Sequence, residues 1–433
     1  MGADRNHKTR TLWLVGALHA FTHVYHVALI PLYLLIQRDF QFASVGQATS
    51  LVTVLMLAYF LPSYALGVLA DRVSRKKLLG CGLAINGLGF VALAYSPTYA
   101  YAVASLIVAG VGGSFFHPAA TAMVARLFPV GTGKALGLVG MGASVGFFAG
   151  PLFSGWRAAS LESVRGAAAW REPVLELGLL GLVASGVFAW FAEEEKQSTL
   201  VETHRARTTS LFPTTALWLW FLAAAFAFSL RDFAGASMGT LSSLFLQKAH
   251  GYDAKLAGLA LSCLFLASVI SNPLFGSLSD RARKRWTAFV TVMAAALMAV
   301  FPHLTGLWIV PCLAAYGFFF MSNYPMVEAA LMQSVPDAVR GRVFGLFITV
   351  GGLISNLSHW IAGDQVKRMG NAAYVVSSYY PLYGAIAVMA LLSLVGLPCL
   401  HALRKREHLD LAPALTVELP MADSQRPIVN RKS

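Results

Sequence analysis

The sequence predicts an all-α membrane protein of twelve transmembrane helices arranged in two pseudo-symmetric six-helix bundles. Three observations predict it. Of 433 residues, 57% are hydrophobic and 12% charged, against roughly 45–50% and about 25% in soluble domains, so a soluble globular enzyme is excluded. Runs of about 20 or more mostly apolar residues, each long enough to cross hydrocarbon, recur along the chain between charged or Pro/Gly breaks. The two halves also repeat. Gly67-Val-Leu-Ala-Asp71-Arg72-Val-Ser-Arg75-Lys76 returns as Gly276-Ser-Leu-Ser-Asp280-Arg281-Ala-Arg-Lys284-Arg285 at an offset of 209 residues. Phe116-His117-Pro118 returns as Asn323-Tyr324-Pro325 at 207, and Gly133-Lys134-Ala-Leu-Gly137 as Gly341-Arg342-Val-Phe-Gly345 at 208.

A cytoplasmic N-terminus of residues 1–11 precedes span 1 (12–36), whose apolar run exceeds a signal peptide's and is expected to stay. Span 2 (46–70) ends at the first basic loop, which opens span 3 (77–96). Span 4 (98–126) holds the Phe-His-Pro triplet, and span 5 (134–157) is glycine-rich. Span 6 (173–192) completes the N-terminal bundle, 12–192. The longest polar connection, 193–212, reads as a cytoplasmic linker to the C-terminal bundle, 213–401. Span 7 (213–247) contains Arg231-Asp232, and span 8 (253–279) leads into the second basic loop. Spans 9 (286–304), 10 (306–334), 11 (340–363) and 12 (379–401) follow. The polar, mixed-charge tail 402–433 lacks an apolar period and is expected to be disordered.

The net charge of +13 would suggest nucleic acid in a soluble protein; here it reports orientation. With loops assigned alternately, 24 Lys and Arg fall on the side of the termini and 8 on the other, which places both termini in the cytoplasm. Cys81, Cys263, Cys312 and Cys399 lie in apolar runs without paired or metal-type spacing and are expected to be small core residues.

On these residues the chain resembles the major facilitator superfamily from about residue 12 to residue 401. The segment Gly67–Leu79 is similar to its G-x-L-a-D-r-x-G-r-k signature, with Ser74 in place of glycine. The resemblance implies a conformational latch at Gly67, Asp71, Arg72 and Arg75, with Asp280 and Arg281 in the second half. Gly137, Gly146, Gly150, Pro151 and Ser154-Gly155 resemble the antiporter signature of span 5, with one Gly→Ser departure. Physically, such a glycine stripe admits a close neighbouring helix and the proline bends it. In the family it accompanies proton-driven export. Gly110–Pro118 and the span 1 segment from Leu18-His19 to Gln37-Arg38-Asp39-Phe40 resemble the fosmidomycin-resistance branch of drug exporters. The chain departs from that branch at Thr22-His23, where an Asn-Asp pair is expected, and Leu106 stands where many drug/proton antiporters carry arginine.

Ionisable groups inside spans cost about 2.5–3.5 kcal/mol each at a helix centre and are functional candidates by default. His19, His23 and His26 fall at i, i+4, i+7, within an arc of about 60° over about 10 Å of helix. Such a stripe can carry protons, bind an anion when charged, or ligate a metal when neutral. No carboxylate or cysteine stands at ligand spacing beside it, and no metal ligand is assigned. His117 shares a face with Gly110, Ser114 and Thr121. In the second half Arg231, Asp232, Tyr324 and Glu328 are the candidates, with Asn323, Asn356 and His359 weaker ones. Adjacent Arg231 and Asp232 point about 100° apart on a helix and are expected to take different partners. Arg231 is the candidate anchor for a carboxylate or phosphonate, and Glu328 the candidate proton carrier. Aligning Gln37 with Gln247 sets Thr22 opposite Asp232 and His19 opposite Ser229, the depth at which a midplane site belongs.

The expected function is secondary active transport by alternating access, with proton-coupled export of a small organic or drug-like compound favoured. The competing readings are a proton-coupled importer or exchanger of an organic anion, nutrient or metal chelate, and a transporter-like sensor or lipid mover. The expected partners are a small-molecule substrate, protons and the bilayer of a bacterial inner membrane. Nucleic acid, a cofactor and an enzymatic activity are not expected, and the chain is expected to be monomeric.

Overall fold

The computed structural model describes residues 2–70, 73–128, 132–194, 211–335 and 339–405. Among them every regular element is helical. Eleven stretches are long and apolar enough to cross a membrane, and one of these, Ala135–Phe191, is 57 residues long. At 1.5 Å per residue it would run about 85 Å, well beyond one bilayer. It folds back on itself at Gly166, whose φ of +57° suits glycine. The helices Thr132–Arg165 and Arg171–Phe191 then run antiparallel as spans 5 and 6. Arg165 pairs with Glu172 across that turn, and Arg157 with Glu176 at 2.7 Å. The described residues therefore make twelve crossings.

Several spans are broken where proline removes a backbone donor. Span 1 starts earlier than expected, as Gly2–Val27, and resumes as Tyr33–Asp39 after a turn that contains Pro31. Span 2 is Val45–Phe60 and Ser63–Ala70, separated at Pro62. Span 4 is Tyr99–Ser114 and Phe116–Leu127, with Pro118 unable to donate to the Ser114 carbonyl. Spans 8 and 9 meet without a loop: Ser268–Val300 is continuous except at Ala282, whose non-helical φ/ψ of −150°/52° makes the kink. Cys312 and Cys399 are buried as expected, but Cys81 is exposed on the outward face of span 3.

In each half the helices pack as a bundle, span 1 on 5, 2 on 4 and 3 on 6, with 7 on 11, 8 on 10 and 9 on 12 as counterparts. The halves meet along two long seams, span 2 against 11 and span 5 against 8. At the end opposite the termini both seams are tight. A Cβ on Gly258 would collide with the Pro151 carbonyl oxygen, one on Gly155 with that of Ala254, and one on Gly363 with the Thr49 hydroxyl. Hydrogen bonds cross there too. The Ser243 hydroxyl donates to the Ile30 carbonyl at 2.7 Å, and the Gln247 amide to that of Pro31 at 3.2 Å. Thr53 accepts from the Trp360 amide and donates to the Asn356 carbonyl, at 3.0 and 2.9 Å. Towards the termini, by contrast, Cβ positions on Gly137, Gly140 and Gly345 meet nothing within 4 Å. The halves are closed at one end and parted at the other.

The glycines of span 5 divide accordingly. Gly146 and Gly150 let span 1 approach, since a Cβ on the first would strike the Ala20 carbonyl and one on the second would lie 2.8 Å from Val27. Gly155 serves span 8. Ser154, in the glycine position, is fully buried and turns its hydroxyl back onto the Gly150 carbonyl at 2.8 Å, so the departure adds no unpaired donor. Ser74, the other departure, caps span 3 by accepting from the Lys77 amide. Asp71 and Arg72 lie outside the described residues, as do 195–210 of the linker and the tail from 406; the surroundings of Gly67 and the side chain of Asp280 are likewise not described. Arg75 opens span 3 and Arg281 is exposed at the end of span 8.

Candidate functional site

The parted halves enclose a cavity of about 440 Å³, lined from spans 1, 2, 4, 5, 7, 8, 10 and 11. The interrupted spans 1, 2 and 4 supply its N-terminal wall, and the long helix Thr215–Lys248 with Ile309–Met332 supplies most of the opposite one. Its walls are mainly apolar, with Phe147 stacked on Phe265 at 4.7 Å between ring centroids. Two polar groups face each other across it.

On the N-terminal side are four histidines. His19, His23 and His26 keep the common face that their spacing dictates, and Pro118 and Phe116 place His117 of span 4 against them. The His19 Nδ1–H donates to the Val139 carbonyl at 2.9 Å, and its Nε2 lies 3.1 Å from Nε2 of His23. Phe116 stacks on His19 at 4.6 Å and Phe147 covers His23 at 4.2 Å. Nδ1 of His23 and Nε2 of His26 are buried without a hydrogen-bond partner among the described residues. His359 of span 11 also lines the cavity, at its closed end, where Nδ1 meets the Thr240 hydroxyl at 2.7 Å and Thr240 meets Tyr33 at 3.3 Å.

On the C-terminal side Arg231 and Asp232 pair with each other, contrary to the expectation of separate partners. Nε and Nη2 reach Oδ1 at 2.8 and 2.7 Å. Their Cα–Cβ directions diverge, but the long arginine side chain folds back over its own helix. Nη1 donates to Asn323 at 2.8 Å, and the guanidinium lies over Tyr324 at 4.4 Å. Arg231 is therefore almost fully buried and engaged, with a side-chain exposure of 3% against 18% for Asp232. Asn323 passes the connection on to Thr291 of span 9. Tyr324, Met321 and Glu328 line the cavity on one face of span 10, while Gly317 of that row packs on the Leu264 backbone. Glu328 is half-buried and has no hydrogen-bond or ion-pair partner among the described residues.

Asn356 also lines the cavity. Ser114, Thr121 and Asn323 do not: the break at Phe115 takes Ser114 out of the register of His117, Thr121 is exposed on the helix it shares with His117, and Asn323 is turned towards span 9. Sequence reasoning passed over Tyr59, Tyr316 and Asn272, which line the site. Each is a polar group inside an apolar span, so the signal was present. Phe147 and Phe265 gave none, since aromatic residues pervade every span.

A cavity between two six-helix halves, sealed at one end within the membrane, defines a multi-pass transporter rather than an enzyme. The chain belongs to the major facilitator superfamily, which it matches over residues 12–358. It is 22% identical over 398 residues to the fosmidomycin resistance protein of Escherichia coli (strain K12), covering 88% of this chain and 93% of that protein. It is 24% identical over 300 residues to the class H tetracycline resistance protein of Pasteurella multocida, covering 66% and 70%. A crystal structure of a D-xylose–proton symporter superposes with a TM-score of 0.70 at 16% identity, over 90% of this chain and 97% of that one, a likeness of fold.

Proposed function

We propose that the chain is a proton-coupled exporter of small organic compounds in a bacterial inner membrane. Its bundles, 12–192 and 213–401, rock about the cavity, with both termini in the cytoplasm, so the conformation described is open to the cytoplasm. The observation that carries this reading is the cavity itself: an apolar chamber at the seam of the two halves with a histidine cluster on one wall and Arg231, Asp232 and Glu328 on the other. Mostly apolar pockets with a few placed polar groups suit drug-sized ligands. Export is supported by the span 5 glycines that pack against spans 1 and 8 and by relatives named for resistance. Glu328 is assigned the proton because it is an intramembrane carboxylate that makes no ion pair among the described residues, the nearby Arg231 being paired with Asp232. Arg231 is assigned to hold Asp232 and Tyr324 in place. The loop residues Gly67, Asp71, Arg72, Arg75, Asp280 and Arg281 are assigned the latch at the cytoplasmic end.

Inverted vesicles with an acidified interior, challenged with phosphonates and tetracycline as first probes, test the proposal. An active compound is expected to dissipate the pH gradient, and Glu328→Gln to abolish this while leaving binding in a thermal-shift assay. Proton-dependent accumulation of the compound by intact cells, or an unchanged pH dependence in Glu328→Gln, would refute the exporter or the coupling assignment respectively.

A further inference from the structure

We propose that His19, His23 and His117 form a binding site for a divalent transition cation of the zinc class, with one coordination position left open to the cavity. From the sequence His117 was a cavity candidate on span 4, but its meeting with the span 1 stripe was not legible. Folding brings one ligating nitrogen from each residue to within 4.8 Å of the others. An ion bound at about 2.0–2.1 Å from each of two tetrahedrally placed nitrogens sets them about 3.4 Å apart. The Nε2 atoms of His19 and His23, at 3.1 Å, are within about 0.3 Å of that spacing. The His117 nitrogen, within 4.8 Å of the other two, has to move in by about an ångström to complete the third side.

The protonation pattern fits a cation. A carbonyl can only accept, so the bond to Val139 fixes the proton of His19 on Nδ1 and turns the Nε2 lone pair towards His23. A ligating histidine that donates its other N–H to a backbone carbonyl is the usual outer-shell arrangement of a metal site. If His23 instead donates through Nε2, its Nδ1 is left as a buried acceptor with no partner. With the His23 proton on Nδ1 instead, the Nε2 lone pairs of His19 and His23 face each other and a cation between them relieves their repulsion; in both tautomers Nδ1 of His23 is unpartnered among the described residues. Three imidazoles match the ligand preference of zinc, cobalt, nickel and copper rather than magnesium or calcium. Across the same cavity Arg231, Asp232 and ionised Glu328 sum to one negative charge, which favours a cation. With three protein ligands, the fourth position takes water or an anionic donor of a bound small molecule. The consequence for the substrate class, that the cargo is the ion or a compound that coordinates it, rests on the transport reading above; binding of the ion does not.

The test uses the full chain, purified through a tag without histidines and stripped of metal with a chelator. Zn²⁺ alone is titrated by calorimetry and Co²⁺ alone by visible absorption. One ion per chain is expected, with the intense visible bands of low-coordinate Co²⁺. His19→Gln, His23→Gln and His117→Gln are each expected to weaken binding on the order of a hundredfold. His303→Gln, at a ring that lies against Tyr380 outside the cavity, leaves it unchanged. Should His117→Gln fail to fold, His117→Cys keeps a ligand at that position and is expected to add a thiolate-to-cobalt charge-transfer band. Absence of stoichiometric binding to the wild type, undiminished binding in the triple glutamine variant, or no thiolate band in a folded His117→Cys protein overturns the site. Because these readouts need no pH gradient, failure of proton coupling in vesicles leaves the result standing, and the reverse holds.

Discussion

Placing a side chain at Gly258 will push the protein out of the closed-seam conformation. A Cβ there collides with the Pro151 carbonyl oxygen and lies 3.2 Å from the Pro151 carbonyl carbon and 3.3 Å from the Gly155 Cα. All three are backbone atoms, which cannot rotate away as a side chain would, so spans 5 and 8 must separate. Overpacking of this kind costs about 1–3 kcal/mol. The penalty exists only while the seam is shut, and it therefore multiplies the ratio of opened to closed molecules by about 5 to 150. The assay is pulsed electron–electron resonance between spin labels at Gln47 and Lys367, both exposed, which straddle the other seam at the same end. Cys81, Cys263, Cys312 and Cys399 are first replaced. Gly258→Val is expected to transfer population to longer distances, while Gly276→Val in the same span, where a Cβ meets nothing within 4 Å, is not. A wild-type distance distribution in a monodisperse Gly258→Val protein would overturn this, because either the seam tolerates the side chain or the two seams do not open together.

Asp232→Asn keeps an acceptor oxygen for Arg231 but removes the counter-charge and leaves a buried guanidinium unbalanced, so thermal unfolding in detergent should shift by about 2 kcal/mol, below the 3–5 of a fully buried pair because Asp232 touches the cavity. The double change Arg231→Met with Asp232→Leu should cost less than Asp232→Asn alone; a larger loss would contradict this. Gly181→Ala drives a methyl into the Tyr25 hydroxyl, which donates to the Leu177 carbonyl at 3.0 Å, and should destabilise by about 1–3 kcal/mol. Tyr25→Phe in that background should restore part of the loss, and strict additivity would place the strain elsewhere. Asp39 accepts from Trp170 Nε1 at 2.9 Å and Arg171 Nε at 2.7 Å, while Arg171 also holds the Ala94 and Ser96 carbonyls at 3.0 and 2.8 Å. Asp39→Asn should therefore lower the unfolding midpoint by an amount corresponding to about 1.5–3 kcal/mol, without altering the Gln47–Lys367 distance distribution.

The bundle architecture was legible because hydrocarbon imposes one rule on every span, a sustained apolar run of fixed length, and because the duplicated motifs mark the second half residue by residue. The breaks within spans 1, 2 and 4 were less legible. Pro31, Pro62 and Pro118 are visible, but whether a proline bends a helix or interrupts it depends on what packs against the freed carbonyls. Arg231 and Asp232 illustrate a further limit. The helical wheel gives directions at Cβ, and a side chain of arginine's length can reach back from almost any of them.

Composition and 100° per residue were enough for the membrane class, the number of crossings and the common face of His19, His23 and His26. Only the tertiary structure decided which groups meet. His117 joins the stripe through the packing of span 4 against span 1. Arg231 is occupied by Asp232 and Asn323 whereas Glu328 is left open, and the halves are shut at one end through glycine contacts between residues about 100 positions or more apart, such as Gly155 with Ala254 and Thr49 with Gly363. Periodicity fixes a residue's angle on its own helix; the partner across the gap depends on how two helices approach, and small residues far apart in the chain set that distance.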